Sequence, residues 1–116
     1  MDYFERRLDD KNRLTIPKEL RDEFGSEVVI THGFGDYLHL YPKKVWDETM
    51  EPALNGDILN QAIADLNIRF RSGKTIAALD AKQGRITLEP HQLAFASIGR
   101  DITAIRAGQY FRLTAS

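Results

Sequence analysis

The fold is decided by a short segment that occurs twice, LDDKNRLTIP at residues 8–17 and LDAKQGRITLEP at residues 79–90. Both copies run Leu-Asp, a polar stretch with a lysine, then arginine, an apolar residue, threonine, an apolar residue and proline. The second copy is one residue longer before the arginine and one residue longer before the proline. Downstream, YLHL at residues 37–40 corresponds to YFRL at residues 110–113. Similar segments in the same order in both halves of the chain indicate an internal duplication.

Each copy has the pattern of short strands around a polar turn. The alternation of polar and apolar residues in 13–16 and in 85–88 predicts half-buried strands, with arginine and threonine facing away from the core. The β-branched run at residues 27–31 and the run at residues 37–41 predict a third and a fourth strand in the first copy.

Prolines and glycines mark a helix in each copy. Pro17 suits the first position of a helix, so we expect a helix over 18–24 that ends at Gly25. In the second copy the same signals predict a helix over 90–98 that ends at Gly99.

The segment between the copies has a helical pattern. Pro42 is expected to open a helix that carries Val45 and Trp46, and Asp57 is a candidate N-cap for a second helix. An apolar stripe at helical spacing along that second helix predicts packing on the sheet or, alternatively, a subunit interface. The stripe consists of Leu59, Ala62, Ile63, Leu66 and Phe70.

Composition excludes several classes of protein. The chain has 116 residues, a net charge of −1 and no cysteine, which removes disulfides, thiolate metal sites and thiol catalysis and fits the reducing cytoplasm. No apolar run is long enough to cross a membrane, and we expect no secretory signal at residues 1–7. The small net charge argues against binding DNA by bulk charge alone.

The first alternative class is an enzyme, and the sequence contains few features that would support catalysis. His32, His39 and His91 lack metal-ligand spacing, and neither a Gly-rich phosphate loop nor a Gly-x-Ser-x-Gly motif is present. His39 lies between two leucines, so we expect it to point away from the apolar face of its strand, as a surface or partly packed residue. We therefore expect no catalytic residue, metal, cofactor or small-molecule substrate.

Four segments together resemble the MraZ family of bacterial regulators. Residues 8–17 resemble the family signature, in which an Asp-x-x-x-Arg motif joins two strands and a proline starts a helix. Residues 37–42 with Trp46 resemble the next family segment, residues 70–73 resemble the end of its central helix, and Gln83-Gly84-Arg85 resembles its second motif. The resemblance covers nearly the whole chain.

The resemblance implies an α+β fold, namely a double-split (swapped-hairpin, AbrB-like) β-barrel built from two tandem β-hairpin and helix repeats. The first AbrB-like half would be residues 1–42 and the second 74–116, with residues 43–73 as a helical linker. It also implies rings of several subunits. The function that it implies is sequence-specific, nucleoid-associated regulation of transcription, at repeated double-stranded DNA boxes upstream of the cell-division and cell-wall gene cluster.

Two positions depart from the family pattern. Counting back four residues from Arg85 gives Ala81, so the acid Asp80 aligns with Arg85 only if the loop bulges. Glu89 occupies the usual position of the proline, which is displaced to Pro90. We therefore expect the first motif to dominate base reading.

Asp9 and Arg13 have the chemistry of a base-reading pair. A carboxylate four residues before an arginine across a tight turn can hold the guanidinium in one rotamer, and the planar fork matches the O6 and N7 atoms of guanine. Asp80 and Arg85 would repeat this arrangement in the second copy. The alternative for either pair is an ordinary surface salt bridge.

The residues beside the two Asp and Arg pairs are expected to contribute further contacts to DNA. Lysines in the turns would bind phosphates, amide side chains would bind an adenine edge or the backbone, and threonines would touch phosphates or a thymine methyl. These residues are Lys11, Lys82, Asn12, Gln83, Thr15 and Thr87, with Arg7 as an additional phosphate contact.

Two binding or structural classes remain as alternatives. One is an AbrB-type antitoxin or transition-state regulator, which would bind a protein toxin as well as DNA, although such chains usually carry a single motif. The other is an assembly protein that forms rings without DNA. Because a near-neutral subunit contacts few phosphates, we expect binding to depend on several linked subunits.

Overall fold

A computed structural model describes residues 1–57 and 59–116 of this mixed α+β protein. The strands form a six-stranded antiparallel sheet and a separate two-stranded antiparallel ribbon. They are β1 (Tyr3–Arg7), β2 (Arg13–Thr15), β3 (Glu27–His32), β4 (Leu38–Pro42), β5 (Thr75–Ala78), β6 (Arg85–Thr87), β7 (Asp101–Arg106) and β8 (Phe111–Ala115).

The helical segments are short and lie between the strands. They are α1 (Lys18–Phe24), α2 (Lys43–Val45), a π-helical turn (Trp46–Met50), α3 (Glu51–Leu54), α4 (Gln61–Ser72) and α5 (Pro90–Phe95). None of the helices in the described part of the chain is long and apolar enough to span a bilayer.

The large sheet has the strand order β1-β7-β8-β4-β3-β5. If each strand is replaced by the equivalent strand of the other copy, the same order results, read from the opposite edge of the sheet. The first strand of each copy therefore pairs with the third strand of the other. Two equivalent backbone hydrogen bonds continue these pairings, from Leu8 N–H to the Arg100 carbonyl (2.7 Å) and from Leu79 N–H to the Ser26 carbonyl (2.8 Å). Each copy thus completes its sheet with strands of the other.

The sheet is open. Its outer strands β1 and β5 each have one strand neighbour, and no hydrogen-bonded ladder closes the sheet within residues 1–57 and 59–116. One face of the sheet covers the main core, which lies between the sheet, the ribbon and helices α1 and α5. Its fully buried members include Leu14, Ile16, Ile30, Leu38, Leu40, Leu88, Ile102, Phe111 and Leu113.

The opposite face of β3 and β4 is covered by the linker helices. Because side chains alternate along a strand, these two strands bury residues on both faces. The second cluster, here called the linker cluster, consists of Val29, Tyr41, Trp46, Leu54 and Phe70.

His39 belongs to this second face and is buried rather than superficial, with 1% of its surface exposed. The direction expected from the strand pattern is correct, but the expected exposure is wrong because the linker covers that face. The imidazole Nδ1 lies 2.7 Å from the Tyr41 hydroxyl oxygen, and the Phe70 and Tyr110 rings pack beside it at 5.7 and 4.5 Å between centroids.

Helix α4 begins later than the sequence signals predict. Asn60, not Asp57, is its N-cap, because the Asn60 side-chain oxygen accepts hydrogen bonds from the N–H groups of Ala62 (2.9 Å) and Ile63 (3.4 Å). Asp57 instead closes a short turn by accepting from Leu59 N–H at 2.9 Å. Leu59 consequently lies outside the helix and is 89% exposed.

The helices after the two prolines end differently. α1 occupies residues 18–24 and ends at Gly25, as the sequence predicts. α5 ends at Phe95 instead of residue 98, because Ser97 adopts a left-handed conformation with φ of 53°. Hydrogen bonds from Ile98 N–H to Leu93 O (2.9 Å) and from Ser97 N–H to Ala94 O (3.2 Å) complete a Schellman motif.

Candidate nucleic-acid interface

The first loop joins β1 to β2 through a tight turn built on Asp9. The Asp9 carbonyl accepts from Asn12 N–H at 3.1 Å, and Asp9 Oδ1 accepts from the N–H groups of Lys11 and Arg13, both at 2.9 Å. Asn12 takes the left-handed conformation that the turn requires, with φ of 59°. One carboxylate oxygen therefore holds two N–H groups of the loop, and the Asp9 carbonyl holds a third.

The other oxygen of the same carboxylate holds the arginine. Arg13 Nε donates to Asp9 Oδ2 at 2.6 Å. Partial desolvation of Asp9 opposes its ionisation, but hydrogen bonds from the Arg13 N–H, the Arg13 guanidinium and the Lys11 N–H lower its pKa to about 2. The carboxylate is therefore charged at neutral pH, and the Arg13 side chain is held before any ligand arrives.

The second loop, between β5 and β6, uses the same elements with one more residue. The Asp80 carbonyl accepts from Gly84 N–H at 2.7 Å, which closes a five-residue turn where the first loop has four. Asp80 Oδ1 accepts from Lys82 N–H at 2.9 Å. Gly84 occupies the left-handed position, with φ of 67°, that Asn12 fills in the first loop.

The longer turn brings Asp80 to Arg85 across five residues. The Arg85 Nη2 atom lies 3.4 Å from Asp80 Oδ2, and the buried Arg85 Nε has no hydrogen-bond partner in the described part of the chain. Hydrogen bonds from the Lys82 N–H, and then from the Gln83 N–H and Arg85, lower the pKa of the Asp80 carboxyl despite its partial desolvation. The second arginine is oriented in the same sense as the first but is held more loosely.

The ribbon of β2 and β6 places the two motifs on one surface. Arg13 lies opposite Thr87, and Thr15 lies opposite Arg85. The intervening residues of both strands face the core, with Leu14 0% and Ile86 1% exposed. The ribbon therefore presents two arginines and two threonines together; this surface is called the reading face below.

The turn residues flank the reading face at both ends. Lys11, Lys82 and Gln83 are exposed, while Asn12 is half-buried. The Asn12 carbonyl accepts from Leu88 N–H at 2.9 Å, so the turn is tied to the opposite copy. Three of these four predicted side chains are thus open to a ligand.

Arg7 lies outside the ribbon. It is the last residue of β1 and lies opposite Asp101 of β7, with Arg7 Nη1 3.6 Å from Asp101 Oδ1. Both side chains are largely exposed, so the ion pair is weak and the guanidinium can move.

Glu89, which stands where the family pattern has a proline, has a structural role at the start of α5. It is the N-cap residue of α5, and its N–H donates to Gln92 Oε1 at 3.1 Å. Pro90 then takes the first helical position, where its missing N–H costs nothing. The displaced proline therefore leaves the entry to α5 intact.

Arg21 is a functional candidate that sequence reasoning missed. From α1, its Nε donates to the Ile16 carbonyl at 2.9 Å and its Nη2 donates to the Gln83 carbonyl at 3.1 Å. Helical spacing shows only that Leu20 and Phe24 face the core. No local pattern could reveal a contact with a loop 62 residues away.

The charge of this region is close to balanced. The two loops and the ribbon carry four basic side chains, Lys11, Arg13, Lys82 and Arg85, and three acidic ones, Asp9, Asp10 and Asp80. Within residues 1–57 and 59–116 no group of three or more acidic or histidine side chains is arranged to hold a metal ion. The region therefore presents hydrogen-bond donors in fixed orientations, but it does not carry a strong positive charge.

Comparison with known proteins gives consistent matches. Residues 1–62 match the family described as "MraZ protein, putative antitoxin-like". The Transcriptional regulator MraZ of Kineococcus radiotolerans is 34% identical over 102 residues, covering 88% of this chain and 71% of the relative. The proteins of the same name from a Roseiflexus species and from Moorella thermoacetica are 32% identical over 112 residues and 36% identical over 106 residues. These alignments cover 97% and 90% of this chain and 78% and 73% of the relatives. The chain therefore belongs to the MraZ family.

Proposed function

We propose that this protein is a sequence-specific DNA-binding regulator of transcription, and that the reading face is its DNA-binding surface. The observation that carries the proposal is the pair of aspartate-supported arginines on one ribbon, with the ribbon's other side buried in the core. A two-stranded ribbon fits the major groove of B-DNA. The names of the relatives support regulation of transcription as the outcome of binding.

In this proposal the two arginines read bases. The Asp9 carboxylate holds Arg13 through Nε. The terminal nitrogens of the guanidinium have no hydrogen-bond partner among residues 1–57 and 59–116, so they can approach guanine O6 and N7. Arg85 takes the same role in the second motif. Thr15 and Thr87, beside the arginines, contact phosphate or a thymine methyl.

The turn residues set position along the duplex. Lys11 and Lys82 neutralise phosphates, Asn12 and Gln83 bind an adenine edge or the backbone, and Arg7 adds a phosphate contact. These contacts carry less sequence information than the arginines.

The proposal includes several linked subunits that bind DNA together. One subunit offers few phosphate contacts, whereas linked subunits on repeated boxes gain affinity through effective concentration, by roughly 10²–10⁴-fold when the spacing matches. We therefore propose a homo-oligomeric ring, nucleoid-associated in the cytoplasm. It would act at repeated boxes upstream of the cell-division and cell-wall genes, as the family resemblance implies.

The exchange of strands between the copies supports a double-split, AbrB-like arrangement for this unit, although its main sheet stays open within residues 1–57 and 59–116. β1 and β5 each leave their own copy to pair with the other, and β2 and β6 pair across the same symmetry. We accordingly propose residues 1–42 and 74–116 as two AbrB-like halves, with residues 43–73 as the linker.

The DNA-binding proposal is tested by fluorescence anisotropy with DNA that carries one or several copies of a candidate box. Wild type should bind with a marked dependence on salt, and Arg13→Ala with Arg85→Ala should abolish selective binding. Lys44→Ala removes an exposed positive charge outside the reading face and is the matched control. If the double variant binds like wild type, the reading face is misassigned. If wild type binds no DNA, the function itself is wrong, and equal affinity for one and several boxes would contradict the linked-subunit mechanism.

A second candidate is an AbrB-type antitoxin or transition-state regulator. The matched family is described as "antitoxin-like", which favours this candidate. It predicts a stable complex with a partner protein that survives Arg13→Ala and Arg85→Ala, whereas a regulator that only binds DNA forms no such complex.

A further inference from the structure

We propose that Arg21 is a positioning residue for the second motif, and that it compensates for the extra residue in the loop before Arg85. The inference rests on the proposed DNA-binding function. It assigns to a helix of the first copy a part in DNA recognition by the second copy.

The two loops differ in how their backbones are closed. In the first loop, Asp9 Oδ1 accepts hydrogen bonds from Lys11 N–H and from Arg13 N–H itself. In the second loop, no hydrogen bond joins Arg85 N–H to the Asp80 carboxylate among the residues that the structure describes. Both loops keep the backbone hydrogen bond from the aspartate N–H to the arginine carbonyl, at 3.2 Å in the first and 3.1 Å in the second. The longer loop therefore lacks only the link between the aspartate side chain and the N–H of Arg85.

Arg21 supplies a contact at the place where the loop is longer. Its Nη2 donates to the carbonyl of Gln83, which lies between the lysine and the left-handed glycine, at 3.1 Å. Its Nε donates to the Ile16 carbonyl at 2.9 Å, where β2 ends. One planar guanidinium thus bridges the end of the first ribbon strand and the second loop.

Gly84 allows the guanidinium to lie against the loop. A Cβ atom at this position would overlap the Arg21 side chain, and the positive φ of Gly84 also disfavours larger residues. The Gly84 carbonyl accepts from Ile16 N–H at 2.7 Å. Arg21 therefore lies beside the hydrogen bond that joins the second loop to the first ribbon strand, one residue before Arg85.

The substitutions that test this role use the chemistry of the bridge. Arg21→Ala removes both donors and keeps a strong helix former. Arg21→Lys keeps the charge, but a single ammonium on a flexible stem cannot reproduce a planar two-carbonyl bridge. If Arg21 acts by positioning, both variants should lose DNA affinity by a similar factor of roughly 5- to 10-fold, comparable with the loss of one base contact.

A double-variant cycle separates positioning from a direct contact. Arg21→Ala combined with Arg85→Ala should bind no more weakly than Arg85→Ala alone, because both changes disable the same motif. Combined with Arg13→Ala, the losses should multiply. Multiplied losses with Arg85→Ala, or wild-type affinity of Arg21→Ala, would overturn the proposal.

Shortening the second loop provides a rescue. Deletion of Gln83 together with Gly84→Asn gives this loop the length and turn residue of the first, so it should no longer need the bridge. In the Arg21→Ala background this loop should restore affinity to near that of wild type. A loss that persists would show that Arg21 touches DNA or supports only its own helix, and would contradict the proposal.

Amide hydrogen exchange tests the same idea without DNA. In Arg21→Ala, protection of Gly84 and Ile16 should fall, while protection of Asn12 in the first loop should not change. Lys44→Ala is the control and should leave all three amides as in wild type. Unchanged protection of Gly84 would overturn the positioning role. Failure of wild type to bind DNA would overturn the proposed function, and with it the part of Arg21 in DNA recognition. A fall in Gly84 protection in Arg21→Ala would still show that Arg21 positions the second loop.

Discussion

At the scale of single residues, the two arginines proposed to read bases, Arg13 and Arg85, have equivalent positions but unequal support from their aspartates. Arg13 Nε donates to its aspartate at 2.6 Å, whereas Arg85 lies 3.4 Å from Asp80 and leaves its Nε unpaired within the described residues. An arginine that is already held loses less conformational freedom on binding. Arg13 should therefore lose less conformational freedom than Arg85 when either side chain binds a ligand.

This inequality predicts that Arg13→Ala reduces DNA affinity more than Arg85→Ala. A loss of roughly 10-fold or more is expected for Arg13→Ala, within the range of one good base contact, and a smaller loss for Arg85→Ala. Titrations of a single box at fixed salt, with Lys44→Ala as the control, measure both. Greater loss for Arg85→Ala would contradict the inequality.

His39 predicts a dependence of stability on pH. Burial, and then the nearby charges of Arg112 and Arg69, lower its pKa from 6.5 to about 4. Between these two values the unfolded chain binds a proton that the folded protein does not. The contribution of neutral His39 to stability is therefore complete above pH 6.5, and protonation of this residue should lower the free energy of unfolding by about 3 kcal/mol by pH 4.

Urea denaturation between pH 7 and pH 4 measures this effect as the difference between wild type and His39→Gln. The difference should shrink as the pH falls, because the variant has no imidazole to protonate. Gln109→Ala, at an exposed position and without a change of titratable group, is the control and should keep the wild-type slope. A difference that is independent of pH would contradict the burial argument.

At the scale of elements, the reading face depends on the ribbon, and the linker depends on helix α4. Ribbon strands β2 and β6 have only three residues each, so their stability comes from the core beneath them and from the loops beside them. Helix α4 is held by its cap and by an ion pair in which both Arg71 terminal nitrogens contact Glu51 at 2.8 Å. That pair, which lowers the Glu51 pKa to about 2, connects α4 to α3.

The observed cap predicts that Asn60→Ala destabilises the protein more than Asp57→Ala. Asn60 accepts from two N–H groups of the first helical turn, and loss of such a cap costs about 0.5–2 kcal/mol. The Asp57 side chain accepts from Leu59 N–H, which precedes the helix, and from no N–H of the helix within the described residues. Chemical denaturation of both variants gives the comparison, and a larger cost for Asp57→Ala would show that the helix begins earlier in solution.

At the scale of the whole molecule, the two copies are interlocked. β1 depends on β7, β5 depends on β3, and β2 depends on β6 for hydrogen bonding. Neither copy has a complete sheet by itself, so the protein should unfold in one cooperative step.

This arrangement predicts that residues 1–42 alone cannot fold as a monomer. The fragment lacks the partner of β1 and the partner of β2, so its apolar faces and strand edges would remain open. Circular dichroism with analytical ultracentrifugation should find it unfolded, or folded only when a second copy or residues 43–116 supply the missing strands. A folded monomer of residues 1–42 would contradict the interlocked fold.

Much of the local structure is predictable because its signals are local. The outward direction of Arg13 and Arg85 follows from strand alternation, and the bounds of α1 follow from Pro17 and Gly25. The same signals fail where a competing local interaction is stronger. Asn60 replaces Asp57 as the cap of α4, and Ser97 ends α5 before Gly99.

The sequence by itself therefore determined the repeated strand, turn, strand and helix unit, with an arginine and an aspartate beside each turn. Only the tertiary structure decided that the copies exchange strands, that Asp80 reaches Arg85 through a longer turn, that Arg21 bridges to Gln83, and that the linker buries His39. The physical reason is the distance along the chain over which each interaction acts. Periodicity and turn chemistry act over a few residues, whereas these contacts depend on how the sheet and the linker pack together.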